Sequence, residues 1–380
     1  MRARWCGMAV LLALVMIAGG ERVRGQSGQG ANSTLTAVPG IKVGHHMMSG
    51  RSTGCTVILA EAGVTAGVDV RGGAPGTRET ALLNPVNSVQ QVHAIALAGG
   101  SAFGLDTASG VMRYLEERQI GFKMGTIVVP IVPAAILIDL WVEGKPSIRP
   151  NADCGYQAAR SASTNTVTEG SVGAGAGATI GKIAGYERAM KAGLGSAAIV
   201  RPDGLIVAAL VAVNARGDVI DPATGRVIAG VRTVDGKRLA DARALLRSGE
   251  VDGSWAPTTP PGPSARPPAR GDIDEGGNTT LGVIATNATL TKTQATKVAQ
   301  MAQDGFARAI SPIHTIADGD TIFVLATGGQ PPTAGPGGTD ATVTIVGALA
   351  AEVMADAIVR AAREATGLPG IPAIRDLPKH

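Results

Sequence analysis

The sequence predicts an α+β protein with buried sheets, and three observations support this prediction. Hydrophobic residues make up 45% of the 380 residues, which suffices for one large core or two ordinary ones. Short runs of β-branched residues occur among stretches of helical periodicity. The 53 glycines indicate many tight turns and close backbone approaches.

The charge balance argues against a nucleic-acid partner. The chain has 34 basic and 30 acidic residues, a net charge of +4, without long like-charge runs. Aromatic residues make up only 3% of the chain, too few for platforms on which single-stranded bases stack. We therefore expect a mixed, solvated surface.

The N-terminus has the order of a secretory signal peptide. Arg2 and Arg4 precede the apolar run 8–17, and small residues follow it. This run is far shorter than the roughly 20 residues of a membrane-spanning helix. We predict a signal peptide over residues 1–20 and a polar, flexible lead-in over 21–34. The protein is therefore expected to be exported, periplasmic or secreted, with no membrane attachment once the signal is removed.

Two cysteines remain in the mature chain. Cys6 precedes the apolar run and is not placed as a lipid-attachment residue. Cys55 and Cys154 are free to pair in an oxidising compartment, but their spacing does not require it. A disulfide and two buried thiols both remain open at this point.

Before residue 253 the pattern predicts a helix over residues 105–117 and five strands. The predicted strands cover residues 56–59, 92–97, 126–129, 197–200 and 205–213.

A proline-rich linker is predicted over residues 253–271. Six prolines fall between Pro257 and Pro268. Because proline fixes φ and lacks an amide donor, this stretch is neither a helix nor a central strand. A long structureless segment of this kind is usually functional or a place where the chain is cut.

A second patterned block follows the linker. Residues 281–286 predict a strand, and Thr291 with Gln294 has the spacing of a capping box ahead of a helix that ends near residue 310. A strand over 322–325 and a helix over 340–363 complete the order strand, helix, strand, helix.

The segment GGNTTLG, residues 276–282, is the most plausible place for chemistry. If the bond between Asn278 and Thr279 is broken, Thr279 carries both a hydroxyl group and an α-amine. A free α-amine has a pKa of about 7.7 to 8, so it can accept the hydroxyl proton near neutral pH. By itself the pattern is weak, since Thr-Thr pairs after glycine are common in turns.

Six ordered blocks resemble the L-aminopeptidase/D-esterase family, also called the DmpA-like or β-peptidyl aminopeptidase family. The resemblance covers nearly the whole chain, from about residue 38 to residue 367. The blocks are GGAPGTRE (72–79), GGSAFGLD (99–106), VPAAILIDL (132–140), GSVGAGAGAT (170–179), MKAGLGSA (190–197) and GNTTLGVIATNA (277–288).

The resemblance implies a four-layer αββα sandwich of the DmpA/ornithine-acetyltransferase type and an N-terminal-nucleophile hydrolase. It implies self-cleavage of one folded domain into a first subunit, residues 35–278, and a second, residues 279–380, with oligomers of these pairs. Most members have serine where this chain has Thr279. Threonine, together with Asp318 and Asp320, is more similar to the branch that hydrolyses 6-aminohexanoate oligomers, so the substrate remains open.

The resemblance also assigns roles to other side chains. Lys191 matches the family lysine whose charge lowers the pKa of the amine, and Lys182 is the alternative if a gap is misplaced. Asn214 matches an asparagine whose amide donates to the developing oxyanion. Asp318 and Asp320 are expected to orient the threonine and its amine.

No cofactor or metal is expected. The string GAGAGA, residues 173–178, lacks a clean preceding strand and a ribose-binding acid, so it is not read as a dinucleotide site. The histidines show no metal-ligand spacing, so we interpret them as core or surface residues. They are His45, His46, His93 and His314.

The sequence therefore predicts a self-cleaving amide hydrolase, an aminopeptidase of short peptides or amino-acid amides that transfers the acyl group to Thr279. Hydrolysis of linear oligoamides of the 6-aminohexanoate type is the alternative within this class. A catalytically inactive exported binding protein is the alternative of another class.

Overall fold

The first secondary-structure element of the described chain begins at Leu35. The computed structural model describes residues 32–251, 277–331 and 337–378. Leu35 opens a short 3-10 helix, Leu35–Ala37, and is fully buried. The predicted signal peptide, most of the predicted lead-in and the proline-rich linker lie outside the described residues.

The strands and helices are numbered in chain order. The strands are β1 (Lys42–Met47), β2 (Gly54–Val70), β3 (Thr77–Arg78), β4 (Val92–Ala98), β5 (Phe122–Met124), β6 (Ile127–Val129), β7 (Ala134–Ile136), β8 (Thr179–Ile180), β9 (Met190–Lys191), β10 (Leu194–Val200), β11 (Ile206–Asn214), β12 (Asp218–Ile220), β13 (Val227–Ala229), β14 (Thr279–Ala288), β15 (Ile310–Ser311) and β16 (Thr321–Gln330). The α-helices are α1 (Thr107–Glu116), α2 (Ala152–Ser161), α3 (Ala242–Ser248), α4 (Lys292–Ala309) and α5 (Gly338–Arg363).

One long strand connects the two halves of the main sheet. The strand order is β10-β11-β14-β16-β2-β4-β7-β3, and β1 also pairs with β2. Residues 54–59 of β2 pair with β1 and residues 55–59 with β4, whereas residues 65–70 pair with β16. The 17-residue β2 therefore belongs to one half at its start and to the other half at its end.

The two halves pack face to face, with helices outside each. In β14, Val283 points into the core between the halves, and the next residue, Ile284, points into the core beneath α4 and α5. In β2, Ile58 joins the central core, while Leu59 joins a third core beneath α1 and α2. Because side chains alternate across a strand, both faces of each half are buried, and the layers follow the order αββα.

Helices α1 and α2 cross at two glycines. A Cβ added to Gly110 would lie 1.6 Å from the carbonyl oxygen of Ala152, and one added to Gly155 would lie 1.9 Å from that of Thr107. A disulfide between Cys55 of β2 and Cys154 of α2 joins this helix layer to the sheet. The pairing that the sequence left open is therefore a bridge.

Helix α5 is apolar because it is a core helix. By length and composition alone it could cross a membrane, yet 56% of its most apolar window is buried. Val346, Val353 and Ile358 are fully buried in the core between the helices and the sheet. Helix α4 lies beside it and begins with the predicted capping box of Thr291 and Gln294.

Two predicted elements differ from the structure. The helix predicted from residue 105 begins at Thr107, because residues Ser101–Asp106 form a 3-10 helix. The strand predicted over 126–129 is β6, which pairs only with β5 in a separate hairpin. The other predicted strands lie within the main sheet, largely within β2, β4, β10, β11, β14 and β16.

Candidate active site

Thr279 is the first residue of β14, in the interior of the main sheet. Its Cα partner is Asn214, the last residue of β11. Only 2% of Thr279 is exposed, and its Oγ donates a hydrogen bond to the carbonyl oxygen of Asn278 at 2.5 Å. The hydroxyl therefore lies against the peptide bond that the sequence predicts to be cut.

The carbonyl group of Asn278 also receives a backbone donor. Asn278 forms a parallel bridge with Asp318, and the N–H of Gly319 donates to the Asn278 oxygen at 3.0 Å. A fixed N–H in a buried site stabilises negative charge that develops on such an oxygen. This backbone donor was not found from the sequence, although the glycine between two aspartates marks the position.

Asp318 and Asp320 are brought beside the threonine, as predicted. Both residues are fully buried just before β16. Asp320 Oδ1 accepts the backbone N–H of Thr280 at 2.7 Å, and Asp318 Oδ2 accepts that of Thr315 at 2.6 Å. Asp318 Oδ1 has no hydrogen-bond partner among the described residues.

The electrostatic environment of Asp318 favours proton exchange near neutral pH. Burial, together with the neighbouring charge of Asp320, raises the pKa of its carboxyl group to about 6. Hydrogen bonding to Thr315 and the charge of Lys182 act in the opposite direction. Shifts of this kind, caused by burial together with a like charge, are frequent at catalytic sites.

Lys182 lies at the site. Its Nζ donates to the carbonyl oxygen of Gly277 at 2.8 Å and to the carbonyl and side-chain oxygens of Asn214, both at 3.0 Å. Burial lowers the pKa of Lys182 to about 7, and the charges of Asp318 and Asp320 oppose this shift. Lys182, which the sequence analysis gave as the alternative to Lys191, therefore contacts the segment that precedes Thr279.

Lys191, the lysine favoured by the sequence, has other partners. Its Nζ donates to the carbonyl oxygens of Gly175 and Ala192. It is fully buried, which lowers its pKa to about 7, but none of these bonds reaches Thr279 or the aspartates. The two lysines lie on the same short hairpin region, and only the fold distinguishes them.

Asn214 contacts the residue before Asn278. Its Nδ2 donates to the carbonyl oxygen of Gly277 at 3.1 Å and to that of Ile138 at 3.0 Å. Its Oδ1 accepts the N–H of Thr179 at 2.9 Å. In the uncut chain the predicted oxyanion donor is therefore bonded one residue away from the Asn278 carbonyl group, where Gly319 donates instead.

The histidines occupy different environments. His314 lies beside Asp320, a contact that the sequence did not suggest, whereas His45 bonds to Thr56 and His93 accepts the N–H of Ile131. Within the described ranges, no group of three or more His, Cys, Asp or Glu side chains is placed to hold a metal ion.

Comparisons with known proteins agree on one family. The model of Peptidase family S58 matches residues 33–373. An uncharacterized aminopeptidase of Mycobacterium tuberculosis is 42% identical over 364 residues, which cover 91% of this chain and 98% of that protein. A 6-aminohexanoate-oligomer endohydrolase of Paenarthrobacter ureafaciens is 31% identical over 332 residues, which cover 86% of this chain and 84% of that protein.

A solved structure shows the same fold. The L-aminopeptidase D-Ala-esterase/amidase of Ochrobactrum anthropi is similar, with a TM-score of 0.63 over 90% of each chain at 17% identity, and it is described as a new variant of the Ntn hydrolase fold.

The fold is of the Ntn hydrolase type, and Thr279 is the first residue of its strand β14. The chain belongs to peptidase family S58. It is an amide hydrolase of the aminopeptidase class, so the family, the fold class and the reaction class predicted from the sequence are confirmed.

Proposed function

We propose that the chain cuts itself between Asn278 and Thr279, and that Thr279 then acts as the nucleophile. The observation that carries this proposal is the position of Thr279 Oγ, 2.5 Å from the Asn278 carbonyl oxygen. Attack of Oγ on the carbonyl carbon would place negative charge on this oxygen, which the N–H of Gly319 already contacts. The proton of the hydroxyl group passes to the nitrogen of Thr279 as the C–N bond breaks, which frees the amine and leaves an ester that water hydrolyses.

Lys182 is the lysine that we assign to the amine of Thr279. Its three hydrogen bonds to oxygen match the three donors of an ammonium group. A positive charge beside the freed amine lowers the pKa of that amine, which keeps it able to accept the hydroxyl proton. The bonds of Lys191 to Gly175 and Ala192 support a structural role for that residue instead.

Asp318 and Asp320 are assigned to the orientation of the nucleophile. Asp320 holds the N–H of Thr280, the residue that follows the nucleophile. Asp318 has a buried oxygen without a hydrogen-bond partner among the described residues, next to the strand that contains the cut. We infer that the freed amine of Thr279 donates to this oxygen.

The mature enzyme repeats the acyl transfer on short peptides or amino-acid amides. Thr279 Oγ attacks the substrate carbonyl carbon while the α-amine takes the hydroxyl proton. The leaving amine departs with that proton, and water releases the acyl group from the ester. The aminopeptidase relatives support this substrate class.

Hydrolysis of oligoamides is the second candidate, and one contact favours it. The carbonyl oxygen of Gly277 accepts hydrogen bonds from Lys182 and from Asn214. A substrate that occupies this place with another amide carbonyl would satisfy both donors. The ammonium group of a free amino-acid substrate would instead face the charge of Lys182, which is unfavourable.

A matched set of substrates separates the two candidates. An amino-acid anilide, its N-acetylated form and a linear 6-aminohexanoate oligomer are compared by kcat/KM. Faster hydrolysis of the free amino-acid anilide supports the aminopeptidase, and faster hydrolysis of the acylated substrates supports the oligoamide hydrolase.

The self-cleavage is tested on a denaturing gel with N-terminal sequencing. The wild-type chain should yield a fragment that begins at Thr279, and Thr279→Ala should give an uncut, folded and inactive chain. Thr279→Ser, which keeps a hydroxyl group, is the matched control and should still cut. An active, intact wild-type chain would instead favour a different mechanism, and an intact, inactive chain would favour the binding protein.

We propose that the enzyme is exported and assembles as oligomers of the cut pair. The signal-like N-terminus and the disulfide between Cys55 and Cys154 support export. The assembly follows from the family resemblance. Fractionation of the source cells tests the export. Light scattering of the purified protein tests the assembly into oligomers.

A further inference from the structure

His314 contacts the carboxylate pair, and the mechanism above gives it no role. It lies between β15 and β16, and its φ of +57° places the backbone in the left-handed region. Its backbone N–H donates to Asp320 Oδ2 at 3.1 Å, and its ring Nδ1 lies 2.9 Å from the same oxygen. Two groups of one residue therefore hold one oxygen of a buried carboxylate.

The contact defines the tautomer of the ring. A carboxylate oxygen only accepts hydrogen bonds, so Nδ1 must carry the hydrogen. The other ring nitrogen, Nε2, is buried and has no hydrogen-bond partner among the described residues.

Asp320 connects His314 to the strand that begins with the proposed nucleophile, Thr279. Asp320 Oδ1 accepts the N–H of Thr280, the residue that follows Thr279 in β14. The side chain of Asp320 is therefore held from both ends, by His314 at one oxygen and by Thr280 at the other. Loss of the His314 donor would leave the carboxylate free to rotate away from Thr280.

The ring itself is held in place from the other side. Phe306, a fully buried residue of α4, has its ring centroid 6.1 Å from that of His314. The left-handed backbone then directs both the N–H and the ring of His314 to Asp320. A packed ring with a fixed tautomer is suited to orient a carboxylate.

We propose that His314 is a positioning residue for the nucleophile, which acts through Asp320 on the start of β14. The inference rests on the proposed function, since it presumes that Thr279 is the reacting residue. The hydrogen bonds that His314 makes among the described residues go to Asp320, not to Thr279 or the carbonyl group of Asn278, so its effect is on the geometry of the reaction.

Asparagine and glutamine substitutions test the donor directly. The amide nitrogen of asparagine can take the place of Nδ1, and asparagine tolerates a left-handed backbone. The longer glutamine side chain carries its amide nitrogen beyond that place. We expect His314→Asn to keep precursor cleavage and kcat within about threefold of the wild type, and His314→Gln to lower both by about 10- to 100-fold.

The split between kcat and KM separates positioning from a structural role. His314 acts through Asp320 on the geometry of Thr279 and not on substrate binding. KM in the glutamine variant should therefore stay within about twofold of the wild type. His45→Gln is the matched control, because His45 also has a bond of 2.9 Å through Nδ1, to Thr56 in the opposite half of the sheet. The Tm of the His45→Gln variant is expected to fall, while its self-cleavage stays at the wild-type rate.

The outcomes distinguish this proposal from the proposed function. If the wild-type chain does not cut at Thr279, the proposed function fails. If the wild-type chain cuts and His314→Gln cuts equally fast, only the role of His314 is overturned. Equal losses of kcat in the asparagine and glutamine variants, or a loss in His45→Gln of the same size, would overturn it as well.

Discussion

Gly319 contributes only backbone atoms to the site, and a side chain at this position would crowd its neighbours. Its N–H donates to the Asn278 carbonyl oxygen, and a Cβ at this position would lie 2.6 Å from Thr279 Oγ and 2.9 Å from the carbonyl oxygen of Ala74. Contacts this short force a neighbour to move. The neighbour that touches it most closely is the proposed nucleophile.

Replacement of Gly319 by alanine should therefore slow self-cleavage. The added methyl group displaces Thr279 Oγ, and a displaced nucleophile reduces the rate by about 10- to 100-fold. The rate is measured as the disappearance of the uncut band after synthesis. Gly329→Ala on β16 is the control, because a Cβ there meets no atom within 4 Å. Equal cleavage in both variants would contradict the prediction.

Lys182 should make the stability of the uncut chain depend on pH. Burial holds its pKa at about 7, whereas an unfolded lysine titrates near about 10.4. Between these values the unfolded chain binds more protons, so the free energy of unfolding rises with pH by about 1.4 kcal/mol per unit for each such lysine. Lys182→Met in the Thr279→Ala chain should remove one such contribution, as measured by urea unfolding between about pH 7.5 and 9.5.

Lys191 provides the comparison for this measurement. Its pKa is also about 7 because of burial, so Lys191→Met should remove an equal share of the slope. An unchanged slope in the Lys182 variant would show that this lysine keeps its proton in the folded chain. Only the Lys182 variant should also impair cleavage in a chain that retains Thr279.

The sequence predicted some of these residues better than others. Thr279 lies within one of the six blocks of the family resemblance, and the same resemblance matched Asp318 and Asp320 to the family's site positions. Two short 3-10 helices, the first of which begins at Lys182, precede Lys191, and the family resemblance favoured Lys191. The choice depends on which Nζ reaches Gly277, and that contact joins residues distant in the chain.

At the scale of elements, β14 and β16 carry the site because they are parallel neighbours. Thr279 begins β14, and Asp318 and Asp320 immediately precede β16. Parallel strands place their starting ends at the same edge of the sheet. The helix α4, packed beneath them, provides the crossover connection that parallel strands need.

The disulfide should stabilise the layer of α1 and α2 against the sheet. Cys55 and Cys154 are 99 residues apart, so the bridge restricts a long segment of the unfolded chain. The double variant Cys55→Ala/Cys154→Ala should lose roughly 2 to 5 kcal/mol in the free energy of unfolding, measured with urea under oxidising conditions. The difference from the wild type should diminish in reductant, and an equal stability without reductant would contradict the prediction.

At the scale of the whole molecule, the proposed cut lies inside the sheet. Strand β14 of the proposed second fragment pairs with β11 of the proposed first fragment, and β16 pairs with β2. The core between the halves draws residues from both fragments, among them Leu210 and Phe323. Cleavage of one peptide bond removes none of these contacts.

The two fragments should therefore stay together after the cut. In native size-exclusion chromatography they should elute as one species, at the volume of the uncut Thr279→Ala chain. They should separate in urea at the concentration that unfolds the protein, because burial of apolar surface holds them. Elution of the second fragment by itself in native buffer would contradict this prediction.

The sequence by itself determined the short apolar runs within β2, β11, β14 and β16, the capping box of α4 and the position of Thr279 in the motif GGNTTLG. These are local properties, set by the period of a strand or helix and by a short motif. Only the tertiary structure decided that Lys182 takes the place beside Gly277, that Gly319 donates to Asn278, and that Cys55 meets Cys154. Each of these contacts joins segments far apart in the chain, and their positions follow from the packing of two sheet halves through one shared strand.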